Sequence, residues 1–356
     1  MVMAKKRYSK KSKIEPSVMT LTFATPASGA ARSYIDLSQV ASLVNRRFYR
    51  QGLNWAVGGF KVFSLQPGSV NIFKLPNTWV MSNAWEKGMR SWQRMNREAL
   101  EESPSVKPRF LDFKVYADPL HHTAGYDANL KPVNENGIAV AGEWFPSIAV
   151  IPVAAGAVEG AVNEFEFIAT GANFPGAGAS GKNAISLIEG YANSRALPNI
   201  EDPNVPDDAA DADDNTPENW IAAMFNDGTA QTDEVLDTMI NQNNQAPYPF
   251  ENGNDPNQFL PDGVTPNPNY NLPFADTHYP GGANQLSGLE WHDTVQIFET
   301  NATNGVGIQR MKGGNFPCGL ICVDWTPAGE SANIIIQIDM IPGSHRGYLC
   351  EPMTEM

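Results

Sequence analysis

Apolar and polar residues alternate at a spacing of two along much of the chain, as expected for strands that bury one face. Ser17-Val-Met-Thr-Leu-Thr-Phe-Ala-Thr25 is the first such run, and the small-residue break Pro26–Ala31 ends it. Leu53–Leu65 and Ser69–Leu75 predict two strands joined through the turn-forming Gln66-Pro67-Gly68. Further strands are predicted at Arg109–Ala117, Gly137–Gly142, Ser147–Ala154, Val162–Thr170, Asp293–Thr300, Gly305–Met311, Gly319–Trp325 and Ala332–Ile341. The last is the most apolar, which predicts a central position in its sheet.

Helical spacing is rarer. Tyr34–Tyr49 predicts a short helix with Asp36 or Ser38 at its start, and Ser82–Glu102 predicts a longer one capped by Ser82 or Asn83. Trp85, Met89, Trp92, Met95 and Leu100 share one stripe of the longer helix, a pattern of core packing rather than of a ligand site. The strand-to-helix alternation of a parallel α/β sheet is missing, and no internal repeat is found. The class predicted is all-β, an antiparallel sandwich or jelly roll with long loops and one internal helix.

Composition agrees. Charged residues make up 18%, hydrophobic residues 42%, and there are 30 Gly and 27 Pro, which favours strands and loops over helical bundles. From Pro198 to Gly288 the chain turns to Asp, Asn, Pro and Gly, with helical patches at Glu218–Phe225 and Thr232–Asn241. This stretch predicts a large acidic surface insertion within a body spanning residues 17–356.

Charge is divided along the chain. Residues 1–115 hold 19 Lys and Arg against 7 Asp and Glu, whereas residues 116–356 hold 6 against 32, for a net charge of -14 overall. The opening stretch carries Lys5, Lys6, Arg7, Lys10, Lys11 and Lys13 with no acid among them. A short unpatterned run of cations buries no apolar surface, so residues 1–16 read as a disordered basic arm presented to a polyanion, in the first place nucleic acid. Phosphate would be repelled by the acidic body, which predicts that the two signs face different ways.

Several motifs invite other chemistry. Gly176-Ala-Gly-Ala-Ser-Gly181-Lys182-Asn183 fits G-x-G-x-x-G and falls one residue short of a phosphate loop. Asn183 stands where a magnesium-binding hydroxyl is needed, and Gly171–Pro175 separates the glycines from the preceding strand. His121-His122 and the pair Cys318, Cys322 raise the question of metal, but a structural zinc wants a second ligand pair, and a buried apolar role for the cysteines is preferred. Three cysteines, with Cys350, make no disulfide framework and fit a reducing compartment. Asp207, Asp208, Asp211, Asp213 and Asp214 lack the order of a calcium loop, and Asn301-Ala-Thr303 matches a glycosylation acceptor without a secretory context. No apolar run is long enough to span a membrane and no signal core follows the first charges, so a soluble, non-secreted protein is expected, with no metal and no cofactor.

The layout as a whole resembles the capsid proteins of small circular Rep-encoding single-stranded DNA (CRESS-DNA) viruses. The resemblance is carried by the arm Lys5–Lys13, the strand-rich body, and Gly305-Val-Gly-Ile-Gln-Arg310-Met-Lys312-Gly-Gly-Asn-Phe-Pro-Cys-Gly-Leu-Ile321. The ending Ile341-Pro-Gly-Ser-His-Arg346-Gly-Tyr348 adds to it. It implies a single jelly roll of two four-stranded sheets, an icosahedral homo-oligomer of on the order of 60 copies or a multiple, and an arm directed inward to a single-stranded DNA genome. It also implies residence in the virion and, during assembly, in the host nucleus, with the arm doubling as a nuclear address and no catalysis.

The arm is shorter and richer in Lys than is usual in that family, and the 198–288 insertion is larger. Six charges on about 60 subunits give roughly 360 cations, too few for a genome of about a few thousand nucleotides, so other cations are needed. Arg32, Arg46, Arg47 and Arg50 are the candidates, with ordinary ion pairs as their other reading. Two alternatives stay open for the chain: a nucleotide-dependent enzyme built on Gly176–Lys182, and a glycan-binding β-sandwich.

Overall fold

The computed structural model describes residues 17–26, 31–101, 111–134, 137–139, 144–152, 162–193, 220–223, 288–298, 307–329 and 332–356. In chain order its first elements are β1 (Thr20–Ala24), β2 (Ala31–Asp36), α1 (Leu37–Asn45), β3 (Leu53–Ser64), β4 (Gly68–Lys74), α2 (Trp79–Glu101) and α3 (Pro119–Ala124). Then come β5 (Val133–Asn134), β6 (Gly137–Ile138), β7 (Ile148–Pro152), β8 (Val162–Ile168), β9 (Asn183–Ser186), α4 (Leu187–Asn193) and the helical turn Trp220–Ala223. The chain ends with β10 (Glu290–Ile297), β11 (Gly307–Phe316), β12 (Leu320–Pro327), β13 (Ile334–Met340), β14 (Pro342–Gly343), β15 (Gly347–Tyr348) and β16 (Cys350–Pro352).

Two antiparallel sheets face each other. Sheet one runs β1-β13-β3-β11, with β16 on the start of β3, and sheet two runs β10-β4-β12-β2. The alternation read from the sequence sets their inner faces. Along β13, Ile334, Ile336, Ile338 and Met340 point inward while Ile335, Gln337 and Asp339 point out, and β13 is flanked by β1 and β3, as its apolar character predicts. Phe23, Trp55, Phe60, Ile72, Phe316, Ile321 and Trp325 fill the space between the sheets, each burial contributing about 1.5–3 kcal/mol. Trp325 keeps its indole N–H satisfied by the Ala332 carbonyl at 3.0 Å.

Sheet two is covered on its outer side as well. Tyr34, Leu75, Leu320 and Cys322 join a second core with Trp85, Trp92, Phe113, Phe167, Leu187 and Trp220, which explains the unbroken apolar run Leu320-Ile-Cys-Val323 in β12. The covering layer holds α2, α4 and a three-stranded sheet β7-β8-β9. This corrects the assignment of residues 109–170 to the sandwich. Ser147–Ala154 and Val162–Thr170 yield β7 and β8 of the separate sheet, where β8 pairs parallel with β9. Among the described residues of Arg109–Ala117 only Tyr116 makes a bridge, to Ile168, and the described part of Gly137–Gly142 holds the two-residue β6, paired with β5. Period-two patterning reports a half-buried strand without naming the sheet that buries it.

The first helix is capped by one of the two residues expected there, and the second starts earlier than expected. Asp36 ends β2 and caps α1, its carboxylate accepting from the N–H groups of Ser38 and Gln39. Helix α2 begins three residues early: Met81 N–H reaches the Thr78 hydroxyl at 3.4 Å, while Ser82 donates to the Met353 carbonyl at 2.6 Å. α1, α3 and α4 accompany α2, so the helix predicted as the one internal helix has company.

Register fixes the two ends of the sandwich. Thr20 pairs with Asp339, Leu53 with Pro352, Lys74 with Glu290 and Asp36 with Leu320, which brings the chain entry, the end of β4 and the start of β10 to one end. All residues from 75 to 289 lie between two neighbouring strands, β4 and β10. That excursion starts far earlier than the predicted insertion at 198–288, of which Trp220–Ala223 and Gly288 are the described part.

Candidate nucleic-acid interface

The described chain begins at Ser17, directly after the basic stretch, and several hydrogen bonds fasten it there. Ser17 donates its hydroxyl to the Arg346 carbonyl at 2.8 Å, and Val18 N–H reaches the Asn45 side chain at 3.0 Å. Tyr348 donates to the Val18 carbonyl at 2.7 Å and accepts from Asn45 at 2.7 Å. Beneath them Tyr49, Trp55 and Tyr348 pack ring against ring with centroids 5.6–5.9 Å apart. Chain entry, the end of α1 and the β14–β15 hairpin are thereby tied into one place.

That place is basic. Arg46 ends α1 and is exposed, Arg47 is half-buried with its guanidinium 3.5 Å from the Ser17 hydroxyl, and exposed Arg50 donates to the Leu111 carbonyl and lies 5.7 Å from the Phe48 ring centroid. Arg346, also exposed, donates to the Phe48 carbonyl. Next to it His345 is held below the ordinary imidazole value, first by burial and then by the Arg346 charge. Of the predicted cations, Arg46, Arg47 and Arg50 are therefore brought together, and Arg346 joins them. No spacing in the sequence links Arg346 to the others; the hairpin brings it there. Lys5, Lys6, Arg7, Lys10, Lys11 and Lys13 lie outside the described residues.

The outer face of sheet one adds a second polar row, Thr22, Gln337, Lys61 and Arg310, read straight across β1, β13, β3 and β11. Lys61 pairs with Asp339 at 2.7 Å, and this hydrogen bond holds the Asp339 carboxyl below its ordinary value. Arg310 is exposed. Toward the β3–β4 turn the same face becomes apolar, with Ala24, Ile335, Phe63 and Ile308 in the next row but one.

No protein-family model, curated protein or solved structure matches the chain.

Arg32 stands apart from the arm root. From β2 its guanidinium faces Asp324 at 3.9 Å and Asp118 at 4.0 Å and lies 5.4 Å from the Phe73 ring centroid, so it joins sheet two to the covering layer. Behind it runs a buried polar chain. Tyr34 donates to Asp118 at 2.8 Å, and His121 stacks on Tyr34 with centroids 4.2 Å apart. The His121 Nδ1 accepts from Ala117 N–H at 3.0 Å, leaving Nε2 to donate to Asn129 at 2.7 Å.

Burial pushes His121 down to about 4 from its ordinary 6.5. Stability contributed by the neutral ring is complete above pH 6.5 and lost as pH falls toward 4, because the unfolded chain takes up the proton first. Asp112, raised by burial to about 6, acts in the opposite sense, its contribution being lost as pH rises through 6. Comparing wild type with His121→Gln cancels the Asp112 effect. The urea midpoint advantage of wild type is expected to shrink as pH drops from 6.5 to 4; a constant or growing gap contradicts a neutral buried ring.

The glycine-rich segment Gly176–Lys182 makes no phosphate cradle. Gly176 N–H is bound by Asn183, Gly178 N–H by the Lys182 carbonyl and Gly181 N–H by the Gly178 carbonyl, so these donors are already used. Lys182 pairs with Glu164 at 3.2 Å, and strand β9 follows where a phosphate loop needs a helix. The glycines have another cause. A Cβ on Gly178 would sit 2.5 Å from the His122 ring nitrogen Nε2. His122 and Glu166, with side chains 1% and 3% exposed, approach to 2.9 Å beneath that loop.

Cys318 and Cys322 are buried in the second core, where burial raises both thiols, Cys322 to about 12. Among the described residues no group of three or more His, Cys, Asp or Glu side chains converges as a metal site, and no helix is long and apolar enough to cross a membrane. The acidic cluster Asp207–Asp214 and the Asn301-Ala-Thr303 acceptor lie outside the described residues.

Proposed function

We propose that the chain is a single jelly-roll capsid subunit that self-assembles into an icosahedral shell around single-stranded DNA. The strand pairing supports the jelly-roll part of this reading. With β1, β2, β3, β4, β10, β11, β12 and β13 counted in order, the first pairs with the last, the second with the seventh, the third with the sixth and the fourth with the fifth. This is the connectivity of one long hairpin rolled into two facing sheets.

The observation that carries the functional part is the entry point. Six cations lie within the sixteen residues before Ser17, and Ser17 is fastened to Arg346 and Arg47, the latter next to Arg46. A tail rich in Lys neutralises phosphate without base contacts, and fixed arginines at its root extend the same surface onto the body. The acidic remainder of a chain of net charge -14 serves solubility where it faces away from the genome. The arm also suits a nuclear address, which places assembly in the host nucleus and the product in the virion.

Negative-stain microscopy of the full chain and of a variant starting at Ser17 tests this. Uniform closed particles are expected from both, with nuclease-protected nucleic acid in the full chain and hollow interiors in the shortened one. A monomer that persists at high concentration across salt and pH overturns the shell.

A further inference from the structure

Four residues other than glycine have positive φ among the described residues: Arg46, Phe174, Cys318 and Arg346. Two of the four are arginines, and both lie at the root of the basic stretch. Left-handed backbone crowds a Cβ against the neighbouring carbonyl, so glycine or asparagine is the relaxed choice there. Arg46 closes α1 at φ 53 and ψ 41, the geometry that glycine most often fills at a helix end.

Arg346 has a structural reason for its side chain, since the guanidinium donates to the Phe48 carbonyl. Arg46 has none of that kind: among the described residues its exposed side chain makes no hydrogen bond or ion pair. Strained backbone retained without a packing return is a mark of positions selected for something the side chain does outward.

We propose that Arg46 and Arg346 form a fixed phosphate-binding site at the root of the basic stretch, holding one phosphodiester of a polynucleotide against the body. Ser17 bonds the Arg346 carbonyl and lies within reach of Arg47, so a strand gathered by Lys5–Lys13 meets this surface where the tail joins the sandwich. The proposal rests on the nucleic-acid reading above and adds to it a seat of fixed position, where the tail alone contacts phosphates in no register.

The test uses the full chain with Lys5, Lys6, Arg7, Lys10, Lys11 and Lys13 changed to Gln, and a short oligothymidylate as probe. Binding by fluorescence anisotropy is measured against sodium chloride, then repeated with Arg46→Gly and Arg46→Lys added. Residual salt-dependent binding is expected, and Arg46→Gly should lower the slope of log affinity against log salt by about 0.7, one single-strand phosphate contact. Arg46→Lys should retain the slope. The Tm of Arg46→Gly should be unchanged or higher, because glycine relaxes the left-handed position.

A lower Tm with an unchanged slope makes Arg46 a structural residue and overturns the proposal. Loss of all binding in the neutralised tail, with wild type still binding, removes the body site while the nucleic-acid reading stands; failure of wild type itself removes both. Inorganic phosphate should displace the probe no better than chloride at equal ionic strength. Stronger displacement identifies a free-anion site and overturns the polynucleotide assignment.

Discussion

Changing all six cations of the opening stretch, Lys5, Lys6, Arg7, Lys10, Lys11 and Lys13, to Gln is expected to lower the salt dependence of single-strand binding sharply. Each phosphate neutralised releases close to one counterion, and on single strands the slope of log affinity against log salt falls by about 0.7 per contact, hence by about 4 for six. Affinity at low salt should fall by orders of magnitude, and particles should retain little nuclease-protected nucleic acid. Stability should not follow, because the bonds that Ser17 and Val18 make to Arg346, Asn45 and Tyr348 do not involve those side chains. An unchanged slope, measured by anisotropy over a range of sodium chloride, would place the nucleic-acid contacts elsewhere.

The second large effect is expected at Gly178. An added methyl would stand 2.5 Å from His122 Nε2 and 2.8 Å from the His122 carbonyl oxygen. The buried ring has little room to yield: Tyr116 lies edge-on with centroids 5.2 Å away, and Glu166 already stands 2.9 Å from Nε2. Gly178→Ala should therefore cost about 2 kcal/mol, in the range of overpacked cores. Lys182→Ala, which removes a partly exposed ion pair with Glu164, should change stability by no more than about 0.5 kcal/mol. A nucleotide-binding loop would show the reverse, with Lys182 governing ligand affinity. Urea midpoints of both variants, together with nucleotide titration of wild type and Lys182→Ala, distinguish the two; detectable nucleotide affinity lost on Lys182→Ala revives the enzyme reading.

That contrast shows what the sequence could and could not convey. G-x-G-x-x-G states that backbone must come close to something, and here the something is the His122 ring. No pattern in residues 176–182 says so, because His122 lies on α3, far earlier in the chain. The sandwich was easier to see. β1, β4 and β13 alternate cleanly because one face meets the core and the other does not. β7 alternates for the same reason, while β8 buries Phe165 to Ile168 on both faces, and both were misplaced, since the pattern is blind to which layer supplies the core. At the arm root, Arg46-Arg47-Phe48-Tyr49-Arg50 was legible as a basic run. Arg346 was not, because a hairpin closed by Gly347 carries it there.

The placement of β13 between β1 and β3 has a consequence for synthesis. Among the described residues β1 has β13 as its one ladder partner, apart from a single bridge from Phe23 to Pro132, so on the ribosome it must wait until residues 334–340 have emerged before that ladder can form. Residues 5–13 therefore leave the ribosome well before the sandwich is complete, and on the function proposed above a polynucleotide captured then would be held by a subunit not yet competent to close a shell. Translation rate and chaperone occupancy, as much as affinity, should thus govern how many newly made subunits reach assembly unencumbered.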